Sequence, residues 1–321
     1  MSKIDVVLCL DDNYVQHACV VMTSILQNTK NKSDFYFHIL EQNVSDENKE
    51  KILSCVSQDK LVFHNLSGYD FSFLPLNRPN ISIACYYRLV IADVLDDNID
   101  KCIYLDCDVV VNEDLINLYN IDISQYFLGA VEDEGSIGNA KRLNLSSTYF
   151  NSGVLLMNLK MIRGVNFKKL CFDYYNKNFN RITLQDQDIL NGVCQMKTLI
   201  LPAKYNAQPN CFNRLFFGHN RMTQKDIGEA VKNPCVVHFS YRSKPWTVDC
   251  FHPLKRLYFK YLKQTPFKNF VFKIRIKQLL KYIFFIKNTD ETKHIMLFYM
   301  HLKLFRSKNL IKILFETIDN R

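Results

Sequence analysis

Apolar residues fall along the chain in short runs separated by polar segments of helical character. Ile4–Leu10 (IDVVLCL) reads as a strand and Val15–Leu26 as an apolar helix. Phe35–Leu40 alternates with a period of two, as a half-buried strand does, and Ser45-Asp-Glu-Asn-Lys-Glu opens a polar, capped helix. Leu61–Leu66 predicts a third strand, Ala84–Val94 a helix, and Lys101–Val111 (KCIYLDCDVVV) a fourth strand. The order β-α-β-α-β-α-β predicts an α/β fold with an open, mostly parallel central sheet flanked by helices. Ligands of such sheets bind beyond the carboxyl ends of the strands.

Within KCIYLDCDVVV two carboxylates, Asp106 and Asp108, interrupt the apolar run. Residues two apart on a strand face the same side, so both acids are expected to aim at one point with Cys107 turned away. Converging carboxylates repel unless a cation lies near them, and a hard divalent metal that also bridges a phosphate suits the pair. A solvated turn at a strand end fits the pair equally well. The pattern also resembles the nucleophile loop of haloacid-dehalogenase-type phosphatases. There, however, the motif lies on the first strand of its domain, whereas here β/α units precede it.

Other polar clusters surround this one. Leu10–Tyr14 (LDDNY) follows the first strand; its acids suit a base imide or a ribose hydroxyl, or equally a helix cap. No GxGxxG or GxxxxGK[ST] accompanies it, which argues against a dinucleotide fingerprint or a P-loop. Tyr149–Met157 (YFNSGVLLM) is a strand-like run broken by Asn151 and Gly153, and a glycine there permits close approach of a ligand or a backbone. Leu184–Leu190 (LQDQDIL) places two acids and two amides just before a helix, suited to gripping hydroxyls or to complementing the helix dipole. Val236–Trp246 (VVHFSYRSKPW) sets His238 at a strand end, followed by the candidate phosphate ligand Lys244 and the single Trp of the chain.

Composition adds a division. Residues 1–254 carry 25 Lys and Arg against 28 Asp and Glu, a net −3, whereas residues 255–321 carry 16 against 4, a net +12. The expected organisation is a catalytic body, 1–254, and a basic, aromatic helical tail, 255–321. Such a tail suits a polyanionic partner. Phe270–Phe285 (FVFKIRIKQLLKYIFF) mixes cations with aromatics as an interfacial helix does, with each Lys near anionic lipid worth about 1 kcal/mol. The same interleaving fits single-stranded nucleic acid, but that leaves the metal-type motifs unexplained, so a membrane and not nucleic acid is the expected partner. The eleven cysteines are scattered without a CxxC pair, which argues against a zinc ribbon or a disulfide framework and for reduced thiols in the cytoplasm. The N-terminus does not read as a signal peptide, and no run has the ~18–20 apolar residues of a membrane span.

In this order and spacing, DDNY, SIACYYRL, YLDCDVVV, YFNSGVLL, QDQDIL and HFSYRSKPW resemble the retaining glycosyltransferases of family 8. Bacterial α-galactosyl- and α-glucosyltransferases of lipopolysaccharide and lipooligosaccharide synthesis are the members they are most similar to. The resemblance spans about residue 4 to 250 and implies the GT-A nucleotide-sugar-binding fold. It implies transfer of a hexose, glucose or galactose, from a UDP-sugar to a surface glycan. Asp106, Asp108 and His238 are the implied ligands of Mn2+, with Mg2+ possible. Asp11 and Asn13 are implied to read uracil and ribose, Arg88 to face the diphosphate or the sugar, and Lys244 to hold the phosphates. Asn151, Asp186 and Gln187 are implied to line the sugar pocket, with Asp133 at the sugar hydroxyls or the acceptor. Gln187 matches the position at which the retaining mechanism is argued, as attacking group or as a shield of the β-face. In the loop after His238 the family often has a glycine where this chain has Tyr241. The expected location is the cytoplasm, attached peripherally to the inner face of the plasma membrane.

Overall fold

The computed structural model describes residues 3–77, 81–212 and 219–271. A compact unit runs from Met1 to Phe270, and a second begins at Val271. Nine strands are present among the described residues: β1 (Ile4–Leu10), β2 (Phe35–Glu41), β3 (Leu61–Asn65), β4 (Lys101–Leu105), β5 (Val109–Val111), β6 (Leu128–Glu132), β7 (Phe150–Asn158), β8 (Thr198–Leu201) and β9 (Val236–His238). Seven form the main sheet in the order β3-β2-β1-β4-β7-β6-β8, and β5 pairs with β9 in a separate ribbon. β7 runs antiparallel to both its neighbours, while the other pairs of the main sheet are parallel.

Strand periodicity sorts the core into two layers. Along β1, Ile4, Val6, Leu8 and Leu10 join one apolar cluster, while Val7 and Cys9 join the other. Both faces are covered, which is why β1 reads as unbroken apolar sequence. The helix Val15–Asn28 covers the first face through Val15, Ala18, Val21, Met22 and Ile25. Helices Leu159–Arg163, Phe167–Asn178 and Gln185–Cys194 cover the second. Ser45 sits at the N-cap of helix Asp46–Leu53 as expected, but its hydroxyl donates to Asp12 Oδ1 (2.9 Å) instead of capping that helix.

Three expectations are corrected. KCIYLDCDVVV is not one strand: β4 ends at Leu105, β5 starts at Val109 in the other ribbon, and Asp106–Asp108 form the turn between them. Ala84–Val94 is a 3-10 run, Ile83–Val90, followed by one α-turn, Ile91–Val94. Helix Lys255–Leu262, assigned to the tail from charge, belongs to the body: Tyr258, Tyr261 and Leu262 pack with Val20, Val110, Val237 and Phe239. Arg256 and Lys260 are exposed, but Lys255 is half-buried and donates to Thr247 O (3.1 Å), and the period-3 tyrosines and leucine bury against the β5–β9 ribbon. Tyr258 accepts from Gln16 Nε2 (2.9 Å), and Tyr261 accepts from Asn28 Nδ2 (2.7 Å). The remainder of the expected tail, 272–321, lies outside the described residues.

Candidate functional site

The turn after β4, the end of β9 and the middle of β7 meet at one point. Backbone bonds set the turn: Asp106 N–H donates to Gly153 O (2.8 Å), and Phe239 N–H to Asp108 O (3.0 Å). Val109 is in register with His238, which brings the histidine level with the turn. Asp106, Asp108 and His238 each offer one ligand atom, and these atoms lie within 4.8 Å of one another. The two acids do converge, but a turn and not a strand face brings them together.

Hydrogen-bond directions decide what this point can hold. Gly153 N–H donates to Asn151 Oδ1 (3.0 Å), and Asn206 Nδ2 donates to the same oxygen (2.8 Å). The Asn206 carbonyl oxygen therefore faces His238 Nδ1, 2.9 Å away, and must accept from it. In the neutral ring Nε2 is then a lone pair, 3.1 Å from Asp108 Oδ1 and 3.8 Å from Asp106 Oδ2. Asp108 Oδ1 is buried and makes no hydrogen bond. That lone pair and two carboxylate oxygens around one point fit a divalent cation. Burial raises the Asp108 carboxyl most, but the adjacent Lys244 opposes it, and the group is held well below the usual carboxylate range. Lys244 Nζ reaches Asp108 Oδ2 (2.5 Å) and Phe239 O (2.7 Å), so it stands beside this point as expected of a phosphate ligand.

Gly153 is needed here. A Cβ on it would lie 2.3 Å from His238 Cε1 and 2.8 Å from Asp106 Oδ2. What the glycine admits here are the side chains of His238 and Asp106.

The second wall comes from β6, β7 and helix Gln185–Cys194. Gln187 accepts from Ser152 N–H (3.0 Å) and donates to Asp133 Oδ2 and to the Tyr149 hydroxyl, both at 3.2 Å. Asn151 donates to the same Asp133 oxygen (3.3 Å). Asp133, Asn151 and Gln187 therefore come together as expected. The QDQD cluster lies in the first turn of its helix rather than before it. Asp188 accepts from Thr183 and Leu184 N–H and pairs with Arg142 at 2.8 Å, anchoring that turn.

Arg88 and Asp186 lie one layer behind. Arg88 is 5 % exposed; its guanidinium pairs with Asp106 (2.8 Å) and Asp186 (3.2 Å), donates to Ser152 O (2.8 Å) and stacks over Tyr104. Asp186 accepts from Ser152 Oγ (2.9 Å); burial, aided by Asp106 and opposed by Arg88, raises it to about 6. Arg88 thus reaches the site through Asp106. Asp11 accepts from Asn13 N–H (2.9 Å) in the turn after β1, and both side chains lie at the carboxyl end of that strand. Asn206 was missed, because nothing in LPAKYNAQ marks an asparagine that will orient a histidine 32 positions on.

Comparison with known proteins agrees with this geometry. Residues 5–250 match glycosyl transferase family 8. General stress protein A of Bacillus subtilis is 30% identical over 274 residues, covering 81% of this chain and 93% of that protein. Lipopolysaccharide 1,2-glucosyltransferase of Escherichia coli K12 is 26% identical over 268 residues, covering 81% and 78%. A crystal structure of the galactosyltransferase LgtC with donor and acceptor sugar analogues superposes with a TM-score of 0.74 at 27% identity, covering 82% of this chain and 96% of that one. The two-carboxylate turn, its histidine and the carboxylate–amide wall lie inside the matched span, and the chain is a glycosyltransferase that belongs to glycosyl transferase family 8.

Proposed function

We propose that the enzyme transfers a hexose, glucose or galactose, from a UDP-sugar to a saccharide of a surface glycan such as lipopolysaccharide, with retention at the anomeric carbon. The observation that carries this reading is the convergence of Asp106, Asp108 and His238 Nε2 on one point. Two carboxylates and one imidazole favour Mn2+, with Mg2+ the weaker fit to a nitrogen ligand. When bound there, such an ion neutralises charge developing on a departing diphosphate.

The chain's own groups take the remaining roles. Lys244 exchanges Asp108 for a phosphate oxygen, and Asp11 and Asn13 meet the nucleoside beyond β1. Arg88 holds Asp106 and Asp186 in place from behind. Gln187, oriented by Ser152, Asp133 and Tyr149, faces the sugar's anomeric centre, while Asp133 and Asn151 meet its hydroxyls. Asp186, paired with Arg88 and accepting from Ser152 Oγ, steadies the first turn of the helix that carries Gln187. Asp133 accepts from both Gln187 and Asn151, so its carboxylate serves to orient these two amides. An acceptor on a lipid carrier accords with a basic segment at an anionic inner leaflet: Phe251 and Val271 are exposed near its start, and residues 255–321 carry the net +12. No helix among the described residues is long and apolar enough to cross a membrane.

The test is UDP release from a panel of UDP-sugars with and without Mn2+. Glucose or galactose donors should turn over only with the ion, and Asp108→Ala should cost about 10^3-fold or more. A preference for simple phosphomonoesters would restore the phosphatase reading. Binding of UDP with no turnover would leave a nucleotide-sugar-binding protein without catalysis.

A further inference from the structure

The loop between β9 and Lys244 is tied to Asp108 at both ends. Phe239 N–H donates to Asp108 O (3.0 Å), and Lys244 Nζ meets Asp108 Oδ2 (2.5 Å). Between them Tyr241 leaves the ribbon and crosses to another segment. Its ring is 44 % exposed, yet its hydroxyl donates to the Asn210 side chain and lies beside the Glu134 carboxyl. The Asn210 backbone N–H donates to the same Glu134 carboxyl, which closes a triangle.

Glu134 is an unusual anchor. It is 8 % exposed, and among the described residues no cation pairs with it. Burying such a carboxyl is costly unless it is hydrogen-bonded. Its neighbour Asp133 holds Gln187 and Asn151, and Gln208 fastens its own backbone by accepting from Glu134 N–H (3.3 Å) while donating to Glu132 O (2.8 Å). Glu134 therefore stands on the rigid sugar-side wall, and Tyr241 reaches it from the cation side.

We propose that Tyr241 and Glu134 are positioning residues, a latch across the site that holds the loop 239–244, and through it Lys244, where a nucleoside diphosphate arrives. This rests on the metal–diphosphate reading of the site. A phosphate draws Lys244 Nζ away from Asp108, and the latch then keeps the loop backbone in place, so that less ordering is needed on binding. Burial, with Asp133 adding to it, lifts the Glu134 carboxyl to about 7. Glu134 Oε1 accepts from the Asn210 backbone N–H, a role the carboxyl fills in either protonation state. A glutamine at 134 preserves that arrangement, and an alanine does not.

The experiment is calorimetric titration of the full chain with UDP in the presence of Mn2+, and with Mn2+ alone. Tyr241→Phe and Glu134→Ala are expected to weaken UDP binding about 5–10-fold, the effect of one lost hydrogen bond. Glu134→Gln should stay within about twofold of the parent, and affinity for Mn2+ alone should not change. In a Lys244→Ala background, Tyr241→Phe should have no further effect, because the latch acts through that lysine. The latch is overturned if Tyr241→Phe binds UDP as tightly as the parent, or if the two substitutions add fully. It is equally overturned if Mn2+ affinity falls in parallel. Absence of any Mn2+-dependent UDP binding by the parent would sink the site's functional reading and the latch together, a pattern distinct from the others. Ligand-free melting temperatures of each variant identify a failure to fold.

Discussion

The two walls of the site are built on opposite principles. On the cation side, Asp108 Oδ1 and His238 Nε2 face each other 3.1 Å apart without a hydrogen bond, and Lys244 stands against Asp108 Oδ2. On the sugar side, Asp133, Asn151, Gln187 and Tyr149 satisfy one another, with Ser152 N–H completing the net. The first wall is an unfinished electrostatic arrangement that a ligand completes. The second is finished before a ligand arrives, so its groups are already oriented, which is how preorganised sites lower a barrier. Variants of the first should therefore change binding, and variants of the second should change turnover.

Gly153→Ala should have the largest effect of those that test this contrast. Its Cβ would meet His238 Cε1 at 2.3 Å, and the imidazole cannot retreat because Asn206 holds it. Loss of Mn2+ affinity by about 10^2-fold or more is expected, read by calorimetry. Unchanged affinity would mean that the histidine is not a ligand. Gln187→Ala should lower kcat about 10^2-fold while leaving UDP–Mn2+ affinity within about twofold. If binding falls instead of turnover, the two walls are not separable. Asn206→Ala leaves every proposed ligand in place but frees the His238 ring, and about a 10-fold loss of metal affinity is expected. An equal effect on a variant already lacking His238 would contradict that route.

A further prediction concerns stability and pH. Glu134 is raised from 4.5 to about 7, so the folded state binds its proton more tightly than the unfolded chain does. Its contribution is present below about pH 4.5 and is lost as pH rises toward 7. Glu134→Gln should therefore melt higher than the parent at pH 8, by on the order of 2 kcal/mol in stability, and no higher at pH 4. A constant difference across that range would show that the carboxyl does not titrate on folding.

How much of this was legible in the chain differs by element. Strands β1, β2 and β4 were readable because their residues bury on both faces or alternate, and local pattern reports burial directly. The metal ligands were readable as residue types within ordered motifs, but not as geometry. A period-2 argument assumes that a strand continues, and Asp106–Asp108 leave the main sheet for the β5–β9 ribbon. Helix Lys255–Leu262 was misplaced for a related reason: charge counts weigh every lysine alike, whereas packing depends on the face carrying Tyr258, Tyr261 and Leu262.

Local sequence by itself determined the α/β alternation, the acids, amides and histidine available for chemistry, and the glycine in β7. Their order along the chain was enough to identify the family. The tertiary structure alone decided which of these groups have partners. Arg88 became a buried support for Asp106 and Asp186, Asn206 set the tautomer of His238, and Tyr241 found Glu134 across the site. Each of these depends on pairs 18 to 107 residues apart in sequence, from Arg88–Asp106 to Tyr241–Glu134. Hydrogen-bond direction and desolvation are properties of such distant pairs, and a linear pattern carries neither.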